Sequence, residues 1–244
     1  MKNSLCVVLV SLAAASAHAQ KTEGGLSNIQ FDQTRIEKAA AAGDRWSLFA
    51  GETVGDGDNA VSAELGWPDL TLGFTHGTGA TSDIGVKFEL TYAFEGSTLD
   101  NKVGFGVRVP FRFNVMRGDK LSVLLHVDPG IKLLTYDPIS FGVQAPLGVV
   151  LAFRAAQALS VGFAVDVPFV FYFTGIPKPL VFIPPQFGPV LEYHVDKNVT
   201  LGFNARFGPL FYFWSDTDTA FGTFPGGSNT KFAFRVQFLV GYRL

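Results

Sequence analysis

The chain has 244 residues, of which 48% are hydrophobic and only 16% charged, and its formal net charge is −2. This balance argues against nucleic acid or an anionic membrane surface as a partner, because either would select a basic protein. The single cysteine, Cys6, lies near the start, so a chain cleaved after Ala19 has no disulfide and no thiolate nucleophile or metal ligand.

The first predicted element is a secretory signal peptide, Met1–Ala19. Lys2 precedes an apolar run from Leu5 to Ala15, and Ala17–Ala19 forms a small-residue cleavage site. The apolar run is shorter than the roughly 20 residues that a membrane-spanning helix needs. We therefore expect a cleaved leader. Residues 20–45 are polar and are predicted to be a partly helical N-terminal segment, with a plug inside a barrel as the alternative.

From Trp46 onward the chain reads as one strand after another, because apolar and polar residues alternate with period 2. Side-chain parity changes at Trp67-Pro68-Asp69, so residues 60–76 are either a tight hairpin or one bulged strand. We count them as one strand, which predicts about ten strands, with twelve or eight as alternatives. The predicted strands are Trp46–Val54, residues 60–76, Asp83–Glu95, Asn101–Met116, Lys120–Tyr136, Ile139–Arg154, Leu159–Thr174, Pro179–Val195, Asn198–Trp214 and Thr230–Leu244.

The strands have one apolar face and one face rich in charge of both signs. Charges that face the inside of a narrow barrel must pair or be hydrated. Balanced signs predict an internal salt-bridge network that fills the lumen, rather than the one-signed wall of a selective pore. The predicted network is Lys87, Glu89, Arg108, Arg112, His126, Asp128, Asp166, Glu192, Arg206 and Arg235.

Alternation alone does not decide whether the apolar face points outward, as in a membrane barrel, or inward, as in a soluble sandwich or lipocalin. The predicted strands are longer than the about 9–11 residues that cross a membrane, which favours the outward orientation. Aromatic residues toward strand ends also favour it, since membrane barrels carry interfacial aromatic girdles. These residues are Tyr92, Tyr136, Tyr172, Tyr212, Trp214 and Tyr242.

The last strand, Lys231–Leu244, places Phe238, Val240, Tyr242 and Leu244 on one face. An apolar final residue with a tyrosine two places earlier resembles the closing strand of bacterial outer-membrane β-barrel proteins, although Leu stands where that family usually has Phe or Trp. The resemblance covers residues 46–244. It implies a small, single-chain, transmembrane antiparallel up-and-down β-barrel in the outer membrane of a Gram-negative bacterium, and a periplasmic location for residues 20–45.

The same resemblance implies partners. These are outer-membrane lipid, lipopolysaccharide and the assembly machinery, which would recognise the last strand. An even strand number places both ends of the barrel in the periplasm. The sequence does not indicate an oligomeric state.

Six prolines fall about halfway along successive predicted strands, where proline is normally excluded because it donates no ladder hydrogen bond. We interpret this proline belt as a set of bulges. They would either let a small barrel curl and twist, or narrow the lumen or open a gap in its wall. The residues are Pro110, Pro129, Pro146, Pro168, Pro189 and Pro209.

The candidates for chemistry are few. His126 and Asp128 share a strand face, as an acid–base pair would, but no serine in a nucleophile context accompanies them. We therefore predict no catalytic residues, no metal and no cofactor. The predicted function is that of a barrel with a largely filled lumen and a structural or surface-interaction role. The alternatives are a narrow channel or carrier for small or hydrophobic solutes, and an outer-membrane enzyme that depends on His126.

Overall fold

The computed structural model describes residues 45–92, 103–135, 139–172, 180–214 and 227–244. The predicted leader and residues 20–44 lie outside these ranges, as do residues 215–226. Every regular element in the described ranges is a β-strand. No helix there has the length and apolarity that a membrane span requires. The strands are β1 (Asn59–Trp67), β2 (Asp69–Gly79), β3 (Ser82–Thr91), β4 (Gly104–Arg108), β5 (Phe111–Arg117), β6 (Leu121–Val127), β7 (Gly130–Leu134), β8 (Ser140–Gln144), β9 (Leu147–Ala156), β10 (Leu159–Val167), β11 (Val170–Tyr172), β12 (Leu180–Ile183), β13 (Gln186–His194), β14 (Val199–Trp214) and β15 (Gly227–Arg243).

Antiparallel pairing joins all fifteen strands into one sheet that closes on itself. β1 pairs with β2 on one side and with β15 on the other, where Ala60 lies opposite Arg243 and Trp67 opposite Val236. The pairings also link twelve of these strands, β3–β14, in a ring. This ring counts separately the two halves of the interrupted strands that are described next. The predicted all-β, antiparallel, up-and-down barrel is confirmed. Each strand in the described ranges therefore has at least two neighbours, so none of them is an edge strand.

Five pairs of consecutive strands are the two halves of longer strands: β4–β5, β6–β7, β8–β9, β10–β11 and β12–β13. Each pair is separated by two residues that include a proline. The register does not change across the separation. Lys87 of β3 lies opposite Arg108 of β4, and Ile84 lies opposite Phe111 of β5, as one continuous ladder requires. Taken as single strands, these pairs leave ten strands around the barrel, which is the predicted number.

The ten strands differ from the predicted ten at the start of the chain. Trp46–Val54 forms no strand; it bends into the barrel and is almost entirely buried. Residues 60–76 are two strands, β1 and β2, which pair with each other around a turn at Trp67-Pro68-Asp69. The predicted strand at Trp46–Val54 is absent, and residues 60–76 form one strand more than predicted, so the total stays at ten. The last strand, β15, closes the barrel against β1 and not against Trp46–Val54, the first of the predicted strands.

Side-chain burial is inverted relative to a water-soluble protein. In β3, Phe88 is 57% exposed whereas the next residue, Glu89, is 5% exposed. The apolar face therefore points outward, as predicted, and the charged face points into the lumen. Other large apolar side chains on the outer surface include Leu65, Leu72, Phe105, Val115, Leu151, Phe163, Phe232 and Phe238.

Among the described residues of the predicted aromatic girdle, two lie on the outer surface and one does not. Tyr92 and Tyr242 are exposed on the outer surface. Tyr172, in contrast, is only 2% exposed and packs inside the barrel against Phe182 and Leu210, so its assignment to the girdle was wrong. Even-numbered side chains point inward in this part of the chain. The alternation pattern therefore already places Tyr172 inside the barrel. Tyr136 and the side chains of Tyr212 and Trp214 lie outside the described part.

Candidate functional site

The barrel interior is the candidate site, because it collects the charged side chains. We call the end where β1 begins and β15 ends the near end, and the opposite end, with the Trp67–Asp69 turn, the far end. We call Arg45–Val54, the stretch that bends into the barrel, the inward segment. It closes the near end: Arg45 Nη1 donates to Gly118 O at 2.9 Å, and Trp46 Nε1 donates to Lys197 O at 3.0 Å.

One carboxylate of the barrel wall, that of Glu192, holds the inward segment. Its Oε2 accepts hydrogen bonds from Ser47 Oγ (2.5 Å), Phe49 N (3.0 Å) and Ala50 N (2.8 Å). Its Oε1 accepts one from Leu48 N at 3.0 Å. Buried backbone N–H groups outside helices and sheets need such partners. Glu192 thus supplies acceptors to a turn of chain that no ladder satisfies.

An arginine–aspartate pair satisfies the carbonyl side of the same segment. Arg112 Nε and Nη2 donate to Asp83 at 2.7 and 2.6 Å, a bidentate geometry that strengthens ion pairs. Nη1 and Nη2 also donate to Leu48 O (2.7 Å) and Ser47 O (3.0 Å), and Asp83 Oδ2 accepts from Val54 N at 3.1 Å. The inward segment is therefore bound through both its donors and its acceptors.

Glycines in the wall make room for the inward segment. A Cβ at Gly202 would lie 2.7 Å from Phe49 Cδ2, and a Cβ at Gly241 would overlap Leu48 Cδ1. Within the segment, Gly51 has a φ of 84°, a conformation that side chains with a Cβ rarely adopt. Close approach and backbone geometry thus both require glycine at these positions.

The inward segment also carries a perturbed carboxyl. Arg117 Nε lies 2.8 Å from Glu52 Oε2. Burial nevertheless raises the pKa of Glu52 above its ordinary value, because desolvation outweighs the attraction of the nearby arginines.

Ion pairs cross the middle of the lumen in one chain of seven side chains, six of which belong to the predicted network. Arg206 binds Asp166 at 2.7 Å. His126 contacts Asp166 at 3.0 Å through Nε2 and Asp128 at 3.2 Å through Nδ1, so both ring nitrogens are engaged. An imidazole held on both sides has no free nitrogen for acid–base work on a substrate.

The chain of ion pairs continues toward the far end of the barrel. Arg108 Nη1 lies 3.5 Å from Asp128, and Arg108 Nε lies 3.2 Å from Glu89. Glu89 also binds Lys132 Nζ at 2.7 Å, so one carboxylate serves two cations. Lys132 is not among the predicted network residues.

The four remaining predicted network residues also face the lumen, in separate groups. Arg112 and Glu192 hold the inward segment, as described above. Lys87 binds Glu64 at 2.7 Å, and Arg235 binds Asp69 at 3.1 Å. Asp69 and Asp83 are functional partners that the sequence reasoning missed. Asp83 shares parity with Lys87 in the same predicted strand, which was an available signal.

The prolines interrupt the ladder without shifting it. The register is the same on both sides of Pro110, Pro129, Pro146 and Pro168, so the expectation of bulges was wrong. Proline lacks an N–H, but its carbonyl still accepts. Val109 N donates to Pro129 O and Asp128 N to Pro146 O, both at 2.8 Å. The wall therefore stays hydrogen-bonded through these positions.

The predicted belt prolines differ in whether they face the lumen or the outside. Pro110, Pro146 and Pro168 are buried and line the lumen. Pro189 and Pro209 are exposed within strands, opposite Phe163 and Phe232. A fifth interruption, at residues 184–185, was not predicted.

The described lumen contains two small cavities. The central cavity has a volume of about 100 Å³ and lies between the inward segment, at Leu48 and Phe49, and the ion pairs around His126. The far cavity has a volume of about 50 Å³ and adjoins the apolar cluster that includes Tyr172. Volumes of this size hold a few waters or one small molecule.

Comparison with known proteins adds no assignment: no family model matches the chain, and no curated protein matches it. In the described ranges, no group of three or more histidine, cysteine, aspartate or glutamate side chains is arranged to hold a metal ion. The functional interpretation therefore depends on the geometry of the lumen and of the outer surface.

Proposed function

We propose that the chain is a non-enzymatic, transmembrane β-barrel of a Gram-negative outer membrane whose lumen is closed to solutes. The observation that carries the proposal is the inverted burial, with phenylalanine and leucine outside and ion pairs inside. Exposing this much apolar surface to water is unfavourable, whereas lipid accommodates it. A closed ring also satisfies every strand without an edge, which a bilayer requires.

Two layers support a closed lumen with a structural or surface-interaction role. The inward segment fills the near end through Glu192 and Arg112, and paired charges of both signs cross the middle. A selective pore would instead present a ring of one sign to a water-filled passage. The balanced pairs favour a filled lumen over the alternative of a narrow channel.

The outer surface supports the proposed partners. The exposed apolar wall would contact lipid and lipopolysaccharide. Phe238, Val240, Tyr242 and Leu244 all face outward on the closing strand, where the outer-membrane assembly machinery would read them. This part of the proposal predicts that a chain expressed with its leader in a Gram-negative host fractionates with the outer membrane.

Recording from planar bilayers tests closure. Refolded protein is expected to give no steady conductance under conditions in which a general porin, added as a positive control, opens readily. Insertion is verified independently by co-flotation of the protein with lipid vesicles. Steady single-channel currents from inserted wild-type protein would overturn the closed-lumen proposal and favour the narrow channel.

A further inference from the structure

The far cavity has an apolar wall made of inward-facing side chains from several strands. Leu134, Tyr172, Phe182 and Leu210 form a buried cluster, and Val170 packs against it. All five line the cavity. These apolar side chains give the cavity one surface suited to a hydrocarbon group.

The cavity lining also offers hydrogen-bond donors without acceptors. Arg108 and Gln144 are 4% and 6% exposed, and both line the cavity. Among the described residues, Arg108 Nη2 and Gln144 Nε2 have no hydrogen-bond partner. Buried donors of this kind are costly unless something accepts from them, so they are uncommon in folded proteins.

The side chains that line the cavity carry more positive than negative charge, which favours an anion. Arg108, Lys132 and Arg235 line it, against one carboxylate, Glu89. That carboxylate is already shared by Lys132 and Arg108. Two carboxylates outside the cavity lining, Asp69 and Asp128, pair with Arg235 and Arg108. The lining is thus richer in positive charge and in donors than in acceptors.

We propose that the far cavity binds a short-chain monocarboxylate. The carboxylate accepts hydrogen bonds from Arg108 Nη2 and Gln144 Nε2, and the hydrocarbon end lies against Val170 and Leu210. A carboxylate matches an arginine donor better than a neutral acceptor does. The volume of about 50 Å³ is well below the roughly 150 Å³ of a cavity that accepts benzene, which selects a chain of about four carbons or fewer. This binding function goes beyond the proposed closed barrel and does not depend on conductance.

Titration of the full-length refolded barrel in micelles of a neutral detergent tests the site. Sodium butyrate is the probe, with 1-butanol and butylammonium as neutral and cationic analogues of the same chain length. Saturable butyrate binding is expected by calorimetry, with both analogues at least about tenfold weaker because they lack the charged acceptor.

Three variants locate the binding. Gln144→Leu removes one donor and is expected to weaken butyrate binding about tenfold. Val170→Phe fills the cavity and is expected to abolish binding. Asn204→Leu, which alters an amide of the central cavity only, is expected to leave it unchanged.

Correct folding of each variant is checked by its heat-dependent mobility on gels, and Val170→Phe carries the test if Gln144→Leu does not fold. Absence of butyrate binding to wild type overturns the proposal. So does equal binding of butanol, or binding that a folded Val170→Phe variant retains.

Discussion

The carboxylate of Glu192 provides the sharpest test of how the near end is closed. Besides the four donors of the inward segment, it accepts from Thr200 Oγ1 at 3.1 Å. The Glu192→Gln variant keeps the shape of the side chain but replaces one acceptor oxygen with a donor. The glutamine side chain loses fewer bonds when its amide oxygen takes the place of Oε2. The three bonds to Oε2 are then kept, and the bonds from Leu48 N and Thr200 Oγ1 are lost.

The magnitude follows from the number of bonds. Hydrogen bonds to a charged group contribute about 1.5–3 kcal/mol each, so losing two costs about 3–6 kcal/mol of docking free energy. Because each 1.4 kcal/mol is a factor of ten, local opening of the inward segment increases at least about a hundredfold. The barrel strands are expected to keep their stability, since their ladders do not include this carboxylate.

Hydrogen–deuterium exchange with mass spectrometry measures this opening directly. Peptides that cover the inward segment are expected to exchange at least about a hundredfold faster in Glu192→Gln than in wild type. Glu89→Gln is the matched control, because Glu89 is an equally buried lumen glutamate whose partners, Lys132 and Arg108, lie away from the segment. Unchanged protection of Leu48–Ala50 in Glu192→Gln, or equal loss in the control, would refute the assignment of Glu192 as the clamp.

Three further changes test other parts of the account. Gly241→Val places side-chain atoms where Leu48 packs, so limited proteolysis is expected to cut near the inward segment while the barrel resists; an uncut variant would contradict the packing. Asp83→Asn leaves Arg112 buried without its bidentate partner and is expected to cost about 3–5 kcal/mol in urea unfolding; a loss below about 1 kcal/mol would show that Arg112 finds another partner. Phe163→Arg puts a charge on the outer wall and is expected to cost about 2 kcal/mol or more when the protein refolds into vesicles, because lipid solvates the charge poorly. The same refolding measured in Phe163→Leu serves as the control, and equal stability of the two variants would argue against a lipid-facing wall.

Much of the barrel could be predicted because side chains in a strand alternate with period 2, whatever the partner strand. This local rule placed Glu89, Arg108 and Glu192 on one face and Phe88 and Phe105 on the other. The same rule failed at Trp46–Val54, where a segment folded against the lumen also alternates. The positive φ at Gly51 takes the segment out of the extended conformation of a strand, and a sequence pattern does not report dihedral angles.

The partners within the lumen could not be predicted, since they depend on strand register and on contacts distant in sequence. Ser47 and Glu192 are 145 residues apart, and Asp83 and Arg112 are 29 apart. At Trp67-Pro68-Asp69, the parity change fits a hairpin and a bulge equally well. The pairing of β1 with β2 decides for the hairpin. The proline interruptions were visible in the sequence, but their unchanged register was not.

The central claim is that the apolar wall faces lipid, and spin-label accessibility in reconstituted vesicles tests it most directly. The chain's only cysteine, Cys6, lies within the predicted leader, so single labels can be placed without a competing thiol. Labels at Phe105→Cys and Phe163→Cys are expected to collide with oxygen, which partitions into lipid, and to be protected from a water-soluble nickel chelate. A label at Asp119→Cys, in an exposed near-end turn, is expected to show the reverse. Free access of the nickel chelate to the labels at both wall positions would contradict the account.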